Sequence, residues 1–355
     1  MTQWDEARSL FEQHVSKGRF PGGQLVVRHR GEVVLDVAAG VARGFRPEEQ
    51  SAPVAVTPET RFALFSASKA VVAVAVAMLE EENAIGLNAP VAKYWPAFGK
   101  PELTVLDVLT HRACVMTPEL IAQPRDWGDE EKVRAALIAA KPKWKRGTLA
   151  YMPYEFGWIL AEVVRGATGK SLETFIKERI PQVRFGARRE ELGEIARTYW
   201  QGGKVIVAGN DLSQSFEETN NLPEVLTAFV PAAGLVCTAR ELAAFYDALI
   251  SGKLIKLETL RRYTTGFGYE LDKSNRIPLR MARGFLLGSF TPSIYGWWGT
   301  QHVFGHAGAF CTLGWGELEN QLAVAIVTNG NRGPYESLFR FAPLGSAIRR
   351  AARGS

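Results

Sequence analysis

The apolar positions along this chain change period twice, from mixed helix and strand to helical and back to strand. Residues 4–17 place Trp4, Leu10, Phe11 and Val15 on one side of an amphipathic helix. Residues 24–28 and 33–38 are β-rich, and Arg30-Gly31 between them predicts a hairpin turn. Residues 40–60 are rich in Pro, Gly and Ala and read as loop. From 70 to 79 the chain is apolar on every side. That pattern predicts a buried central helix, ending near 83–86, rather than a surface one.

From 90 to about 260 the pattern is helical with long connections. Helices are predicted over 104–109, capped by Thr104 or Asp107, and over 130–140. Others are predicted over 155–168 with Gly169 closing the end, over 172–180, and from Thr238 through Leu249. Residues 184–230 show no dominant period; they carry Trp200, a Gly202-Gly203 turn and a polar loop over 210–221. Beyond 265 the strand period returns. Residues 283–287 form a candidate strand, and 310–317 and 321–328 alternate around a Glu319-Asn320 turn. A helix over 334–352 closes the chain. Strands at both ends of a helical middle predict an α+β fold: an antiparallel sheet flanked by terminal helices. The sheet domain is drawn from 1–60 and 265–355, the inserted domain over 61–264 is mostly helical, and 10–350 form one unit.

Composition narrows the function classes. The chain has 355 residues, 46% hydrophobic and 22% charged, as a globular protein with a large core would. The net charge of +5 gives a mildly basic surface. Its densest basic cluster, Lys141, Lys143, Lys145 and Arg146, is broken by Pro142 and Trp144 and reads as a loop, so no nucleic-acid partner is expected. No run is long enough to span a membrane, and residues 1–6 lack the basic and apolar regions of a signal peptide; a cytoplasmic location is expected. Cys114, Cys237 and Cys311 are odd in number and widely spaced, which fits reduced core positions. The histidines show no H-E-x-x-H pattern, so neither a metal nor another cofactor is expected.

The candidate chemistry is Ser66-Ala67-Ser68-Lys69, an S-x-x-K stretch at the front of the apolar helix. A serine and a lysine three residues apart share one helix face. The helix start brings partial positive charge and free N–H groups to the serine. The lysine must lie against Val71, Val72, Val74 and Val76, and a dry site favours a neutral amine able to take the hydroxyl proton. The bland alternative is an N-cap serine with a solvated lysine in the first turn. The all-round apolarity of 70–79 weighs against it, as do Tyr151 and His306-Ala307-Gly308 downstream. Ser68 is a weaker nucleophile candidate, because its side chain diverges from that of Lys69 around the helix.

Several segments occur in the order found in the serine β-lactamase-like superfamily. They are 65–69, Leu106-Asp107-Val108-Leu109-Thr110-His111, Pro231-Ala232-Ala233-Gly234-Leu235 with Thr238-Ala239, and Phe304-Gly305-His306-Ala307-Gly308. The chain resembles the class C and esterase branch of that superfamily, which shares its fold with penicillin-binding proteins. The likeness runs from Phe20-Pro21-Gly22 to the last helix.

The resemblance implies Ser66 as nucleophile, Lys69 and Tyr151 as proton carriers, and an oxyanion hole built from the Ser66 and Ala309 backbone N–H groups. It further implies that His306, in place of the lysine of K-T-G, faces the substrate, and that Gly308 lets substrate lie against the strand. His111 is implied to be structural. Trp127, Trp144, Trp297 and Trp298, with Trp200, are expected in loops bordering the site, some lining an acyl or aryl pocket. The second motif departs from the family's Y-x-N, since this chain has Tyr151-Met152-Pro153. Nearby cations are expected to lower the phenol's pKa from its usual value near 10.

The resulting expectation is a serine hydrolase or acyltransferase acting on carboxylic esters or amides through acyl-Ser66. The acceptor is water or a small-molecule alcohol or amine. Two other readings stay open: a β-lactamase or D,D-peptidase, which the lost asparagine and the missing leader oppose, and a catalytically inactive binding protein of the same fold.

Overall fold

The structure, a computed structural model, describes residues 2–203, 206–207, 210–309 and 311–354. Its centre is an antiparallel sheet of seven strands. In spatial order they are Leu286–Leu287, Val303–Gly308, Thr312–Glu317, Leu322–Thr328, Gly22–His29, Glu32–Arg43 and Val54–Ala55. The chain ends therefore meet in one sheet, with Leu25 opposite Ile326. Helices Asp5–Ser16 and Pro334–Arg353 cover one face and bury Phe11, Phe20, Trp315 and Phe341. Helix Ala239–Ile250 packs on the other face. Because both faces are covered, strand Leu322–Thr328 is buried along its whole length, which explains its unbroken apolar run.

The central helix is Ser68–Glu81, and every residue from Ser68 to Leu79 is buried. Its valines are poor helix formers, at about 0.5 kcal/mol each. Burial of each is worth about 1.5 kcal/mol or more, so packing outweighs propensity. Helices Glu155–Thr168, Leu172–Arg179 and Leu257–Tyr263 lie against it. Helix Glu155–Thr168 ends as expected at Gly169, whose φ of 72° suits a left-handed cap. Helix Val105–Leu109 opens on a capping box in which Thr104 and Asp107 each satisfy the other's backbone N–H.

Three expectations change. Residues 210–221 are not a polar loop, because Leu212–Asn220 is a helix. Glu217 on this helix accepts from Trp200 N–H at 2.9 Å, and Asn221, just after it, bonds both Thr198 backbone groups. The strand over 283–287 shrinks to Leu286–Leu287, because Gly284 turns the chain at φ 76° and gives its N–H to Leu109 O. Strand Glu32–Arg43 runs on into the supposed loop. Of the strand over 310–317, Thr312–Glu317 is observed and Phe310 lies outside the described residues. All three cysteines are free and buried. Among the described residues no helix is long and apolar enough to cross a membrane.

Candidate active site

Ser66 lies in a single 3-10 turn, Phe65–Ala67, that runs directly into the central helix. Phe65 holds φ at 51°, a left-handed value that costs a bulky residue on the order of 1–3 kcal/mol. The turn is pinned from outside. Ser68, fully buried, donates to Phe65 O at 2.5 Å and accepts Leu235 N–H at 3.1 Å. Ser68 is thereby engaged structurally, whereas Ser66 is half-buried.

Lys69 is completely buried one turn on. Its Nζ stands 3.1 Å from Ser66 Oγ, 2.7 Å from Pro153 O and 3.2 Å from Ala232 O. Each carbonyl is placed by a separate piece of chain. Phe62 and Ala63 pair with Cys237 and Val236, and Leu64 N–H bonds Leu235 O; this seam holds 232–237 beside the serine turn. On the other side successive backbone N–H groups are anchored. Ala150 N–H reaches His111 O, Tyr151 N–H reaches Asp272 Oδ1 at 2.7 Å, and Met152 N–H reaches His111 Nδ1 at 3.0 Å. Pro153 has no N–H to place, and its carbonyl turns to the lysine.

Burial lowers the Lys69 pKa from 10.5 to about 7, with the Glu155 carboxylate opposing the shift. Glu155 is itself buried and accepts Thr117 N–H and Oγ1–H at 2.7 and 2.9 Å. A neutral amine has two N–H donors and one lone pair. Two carbonyls and one hydroxyl surround it, so the lone pair falls to the Ser66 O–H.

The Tyr151 ring lies 4.9 Å from Lys69 Nζ and stacks on His111 at 4.5 Å. Its phenol is hydrogen-bonded with the Ser66 side chain. The expected lowering of its pKa is not found. Burial pushes the phenol up, Asp272 adds to the rise, and the Ser66 hydrogen bond only partly opposes it. Tyr151 is therefore a neutral hydroxyl.

His306, on strand Val303–Gly308, is buried, with its ring 6.3 Å from that of Tyr151. Its Nδ1 lies 2.7 Å from Ala307 O, which requires Nδ1 to carry the proton and leaves Nε2 as an acceptor with no partner among the described residues. Burial, reinforced by Lys69, holds the ring neutral, its pKa pushed down to about 3. His111 is likewise held well below its usual value by burial and Lys69. It serves as an acceptor for Met152 and a stacking platform. At Gly308 a Cβ would collide with the Leu64 carbonyl and with Thr312 Oγ1. Thr312 Oγ1 donates to the same Leu64 O at 2.9 Å, so the strand end is pressed onto the chain two residues before Ser66. Ala309 follows at φ 40°. Neither its N–H nor that of Ser66 has a backbone acceptor among the described residues.

The tryptophans separate. Trp127 is buried close to the site, its ring 4.3 Å from that of Tyr154. Trp144 is half-buried in the loop before Tyr151, with Lys143 Nζ 5.0 Å from its ring. Trp200 packs on Phe216, which in turn packs on Phe65. Trp297 and Trp298 make their contacts with the C-terminal helix. Trp297 packs on Phe339 and donates its N–H to Ser346 Oγ, while Trp298 is 69% exposed and its carbonyl accepts from Arg349. Their loop is tied to the C-terminal helix, whose Arg349 forms a buried ion pair with Glu317. The groups that sequence reasoning missed are Pro153 O, Ala232 O and Asp272. The two carbonyls carry no side-chain signal. Asp272-Lys-Ser-Asn275 has the composition of a turn, but nothing in it points to Tyr151.

The sequence pattern of the family described as Beta-lactamase matches residues 7–342. The chain is 28% identical to Esterase/beta-lactamase LipL of Mycobacterium tuberculosis (strain ATCC 25618 / H37Rv) over 88% of this chain and 77% of that protein. Its fold is similar to that of a penicillin-binding protein homolog from Caulobacter crescentus, with TM-score 0.82, 24% identity, and 98% and 97% of the two chains covered. It is also similar to a family VIII carboxylesterase, with TM-score 0.79, 25% identity, and 99% and 98% covered. With a match spanning nearly its whole length, the chain belongs to the beta-lactamase family.

Proposed function

We propose that this protein is a serine hydrolase that cleaves carboxylic esters of small molecules through an acyl-Ser66 intermediate, within the cytoplasm. The observation that carries this reading is the environment of Lys69 Nζ. In its neutral form the amine gives its two N–H donors to the Pro153 and Ala232 carbonyls and turns its lone pair to the Ser66 hydroxyl, whose Oγ is 3.1 Å away. Ser66 Oγ attacks the ester carbonyl, and its proton passes to Lys69. The Ser66 and Ala309 N–H groups receive the oxyanion. As the intermediate collapses, the C–OR bond breaks and the alkoxide takes a proton through the neutral Tyr151 hydroxyl, leaving as the alcohol. Water, or a small alcohol or amine, then attacks the acyl carbonyl, and Ser66 is regenerated with its proton.

Relatives described as an esterase/beta-lactamase and as a family VIII carboxylesterase support the ester reading. Pro153 supports it over β-lactam or peptide cleavage. The motif's asparagine brings an amide able to donate and accept, whereas Pro153 presents only a carbonyl, already occupied by Lys69. The free, buried cysteines agree with a reducing compartment.

The test is intact mass after incubation with short acyl esters. A gain equal to the acyl group, absent in Ser66→Ala, is expected. No gain and no turnover with any ester would overturn the reading in favour of an inactive binding protein.

A further inference from the structure

The basic loop over 141–147 takes no part in the reaction, and beside it lies a hairpin with an apolar outer face. The hairpin pairs Tyr269–Leu271 with Pro278–Arg280. Alternate residues of a strand share a face. Here they put Tyr269 and Leu271 outward, 53% and 54% exposed, with Phe267 two residues earlier at 51%. The other face turns inward. Glu270 pairs with Arg112, and the buried Asp272 accepts Tyr151 N–H at 2.7 Å. Arg280 donates to Gly288 O and Gln301 O, which ties the hairpin to the loop that carries Phe290, itself 74% exposed.

Arg112 joins this hairpin to the basic loop. Its guanidinium lies 5.1 Å from the Phe267 ring, pairs with Glu270 and donates to Gly147 O. A second tie runs from Lys273 N–H to Leu149 O at 3.0 Å. Lys141, Lys143 and Lys145 are exposed on the loop, and Lys273 and Arg276 are exposed at the turn of the hairpin. Among the described residues none of these cations forms an ion pair. Exposed apolar side chains and unpaired cations therefore share one edge of the molecule.

That combination matches a surface with negative headgroups over an apolar interior. We propose that this edge docks the enzyme on an anionic lipid surface. Phe267, Tyr269 and Leu271 enter the headgroup boundary, and the lysines meet the negative headgroups. A second copy of the chain fits this edge less well, because a symmetric contact sets the same cations face to face. The docking stands independently of the acyl-Ser66 reaction. Because the inner face of the hairpin holds Tyr151, docking brings the Tyr151 side of the cleft toward the lipid.

Co-sedimentation of the full chain with vesicles measures the docking. Wild type is expected to bind equimolar phosphatidylserine–phosphatidylcholine vesicles about tenfold or more tighter than phosphatidylcholine alone. Added salt should erase that preference. Tyr269→Ser with Leu271→Ser should weaken binding to the mixed vesicles by about tenfold or more. Lys141→Gln, Lys143→Gln and Lys145→Gln together should weaken it by about 100-fold. All these positions are exposed, and thermal melts check that both variants fold. No binding by wild type overturns the proposal, as does equal binding to the two kinds of vesicle or wild-type binding by both variants. A dimer in sedimentation equilibrium that Tyr269→Ser with Leu271→Ser dissolves would make the edge an interface between copies, and would overturn it too.

Discussion

Lys69 Nζ lies 2.7 Å from the carbonyl oxygen of Pro153, closer than to either of its other partners. A backbone group thus occupies the lysine where the related motif carries an asparagine side chain. The substitution removes a side-chain donor from the cleft but leaves the amine fully coordinated. It argues for a working proton acceptor rather than a decayed site, because an amine without such acceptors would be costly to bury.

The pH dependence follows from the same contacts. Lys69 acts as a base only when neutral, and its pKa is lowered to about 7. The rate of acylation should therefore rise with pH through an apparent pKa of about 7 and flatten above it. His306 and His111 are held neutral across this range and add no limb there. Single-turnover acylation measured from pH 5 to pH 9 checks this; a flat profile would remove Lys69 from the role of base. Lys69→Ala should lower the rate by about 100-fold or more on the plateau above pH 7, as expected for lost proton transfer, and the gap to wild type should narrow as pH falls below 7.

Stability carries the same signature with a definite sign. The lysine titrates near 10.5 when unfolded and near 7 when folded. Between those values the unfolded chain binds a proton that the folded chain does not, so stability rises with pH across that window. Below about 7 both states are charged, and the folded state bears the full cost of a buried ammonium. Lys69→Met lacks this charge. Its stability advantage over wild type should be on the order of 4 kcal/mol at pH 6 and should shrink toward pH 10. Urea midpoints of both proteins at pH 6, 8 and 10 measure it, and an advantage that grows with pH would contradict the assigned direction.

The contact between Ser66 and a buried Lys69 was legible in the sequence because both signals are local. An S-x-x-K spacing fixes which side chains meet on a helix, and all-round apolarity fixes that the helix is buried. The sheet was legible for a similar reason, since strand periodicity at both termini leaves few ways to bury both faces. What could not be read came from distant backbone. The Ala232 and Pro153 carbonyls acquire their roles only when Leu235 pairs with Leu64 and His111 anchors 150–152. The Tyr151 phenol shows the limit on electrostatics. The neighbouring amine was foreseeable, but the phenol's pKa is set first by burial of the ring, and burial is a tertiary quantity. The contacts of Trp297 and Trp298 with Phe339 and Arg349 were not legible either, because an aromatic in a loop carries no mark of which element it will pack on.

Asp272 is a positioning residue for Tyr151. Its carboxylate accepts the N–H groups of Tyr151, Ser274 and Asn275 and the Asn275 side chain. Asp272→Asn keeps the shape but turns an NH2 group toward backbone donors. The expected result is a loss of about 2 kcal/mol of stability, as a buried donor is left unsatisfied. The catalytic readout separates position from mere folding: kcat should fall about tenfold with KM nearly unchanged, since the phenol acts on the reaction and not on substrate binding. Tyr151→Phe should lower acylation by about 100-fold, and Asp272→Asn should add little in that background. Additive losses would show that Asp272 acts elsewhere.

Gly308 joins the sheet to the nucleophile. Because a Cβ at 308 would meet the Leu64 backbone carbonyl, the strand or the serine turn must shift to admit one. Neither can shift freely. Strand Val303–Gly308 is paired along its length with Thr312–Glu317, and Leu64 N–H is bonded to Leu235 O. Gly308→Ala should therefore cost on the order of 3 kcal/mol of stability. It should also separate the Ala309 and Ser66 N–H groups, and loss of one oxyanion donor costs about 100-fold in kcat. Thermal melts and ester kinetics on the same preparation test both. Thr312→Val is the companion variant, since it deletes the hydroxyl that bonds Leu64 O at 2.9 Å without adding bulk at 308. It should reproduce the direction of the catalytic loss at smaller size, about threefold to tenfold, by loosening the same junction. Wild-type kcat in both variants would mean that the strand end does not place the oxyanion donor.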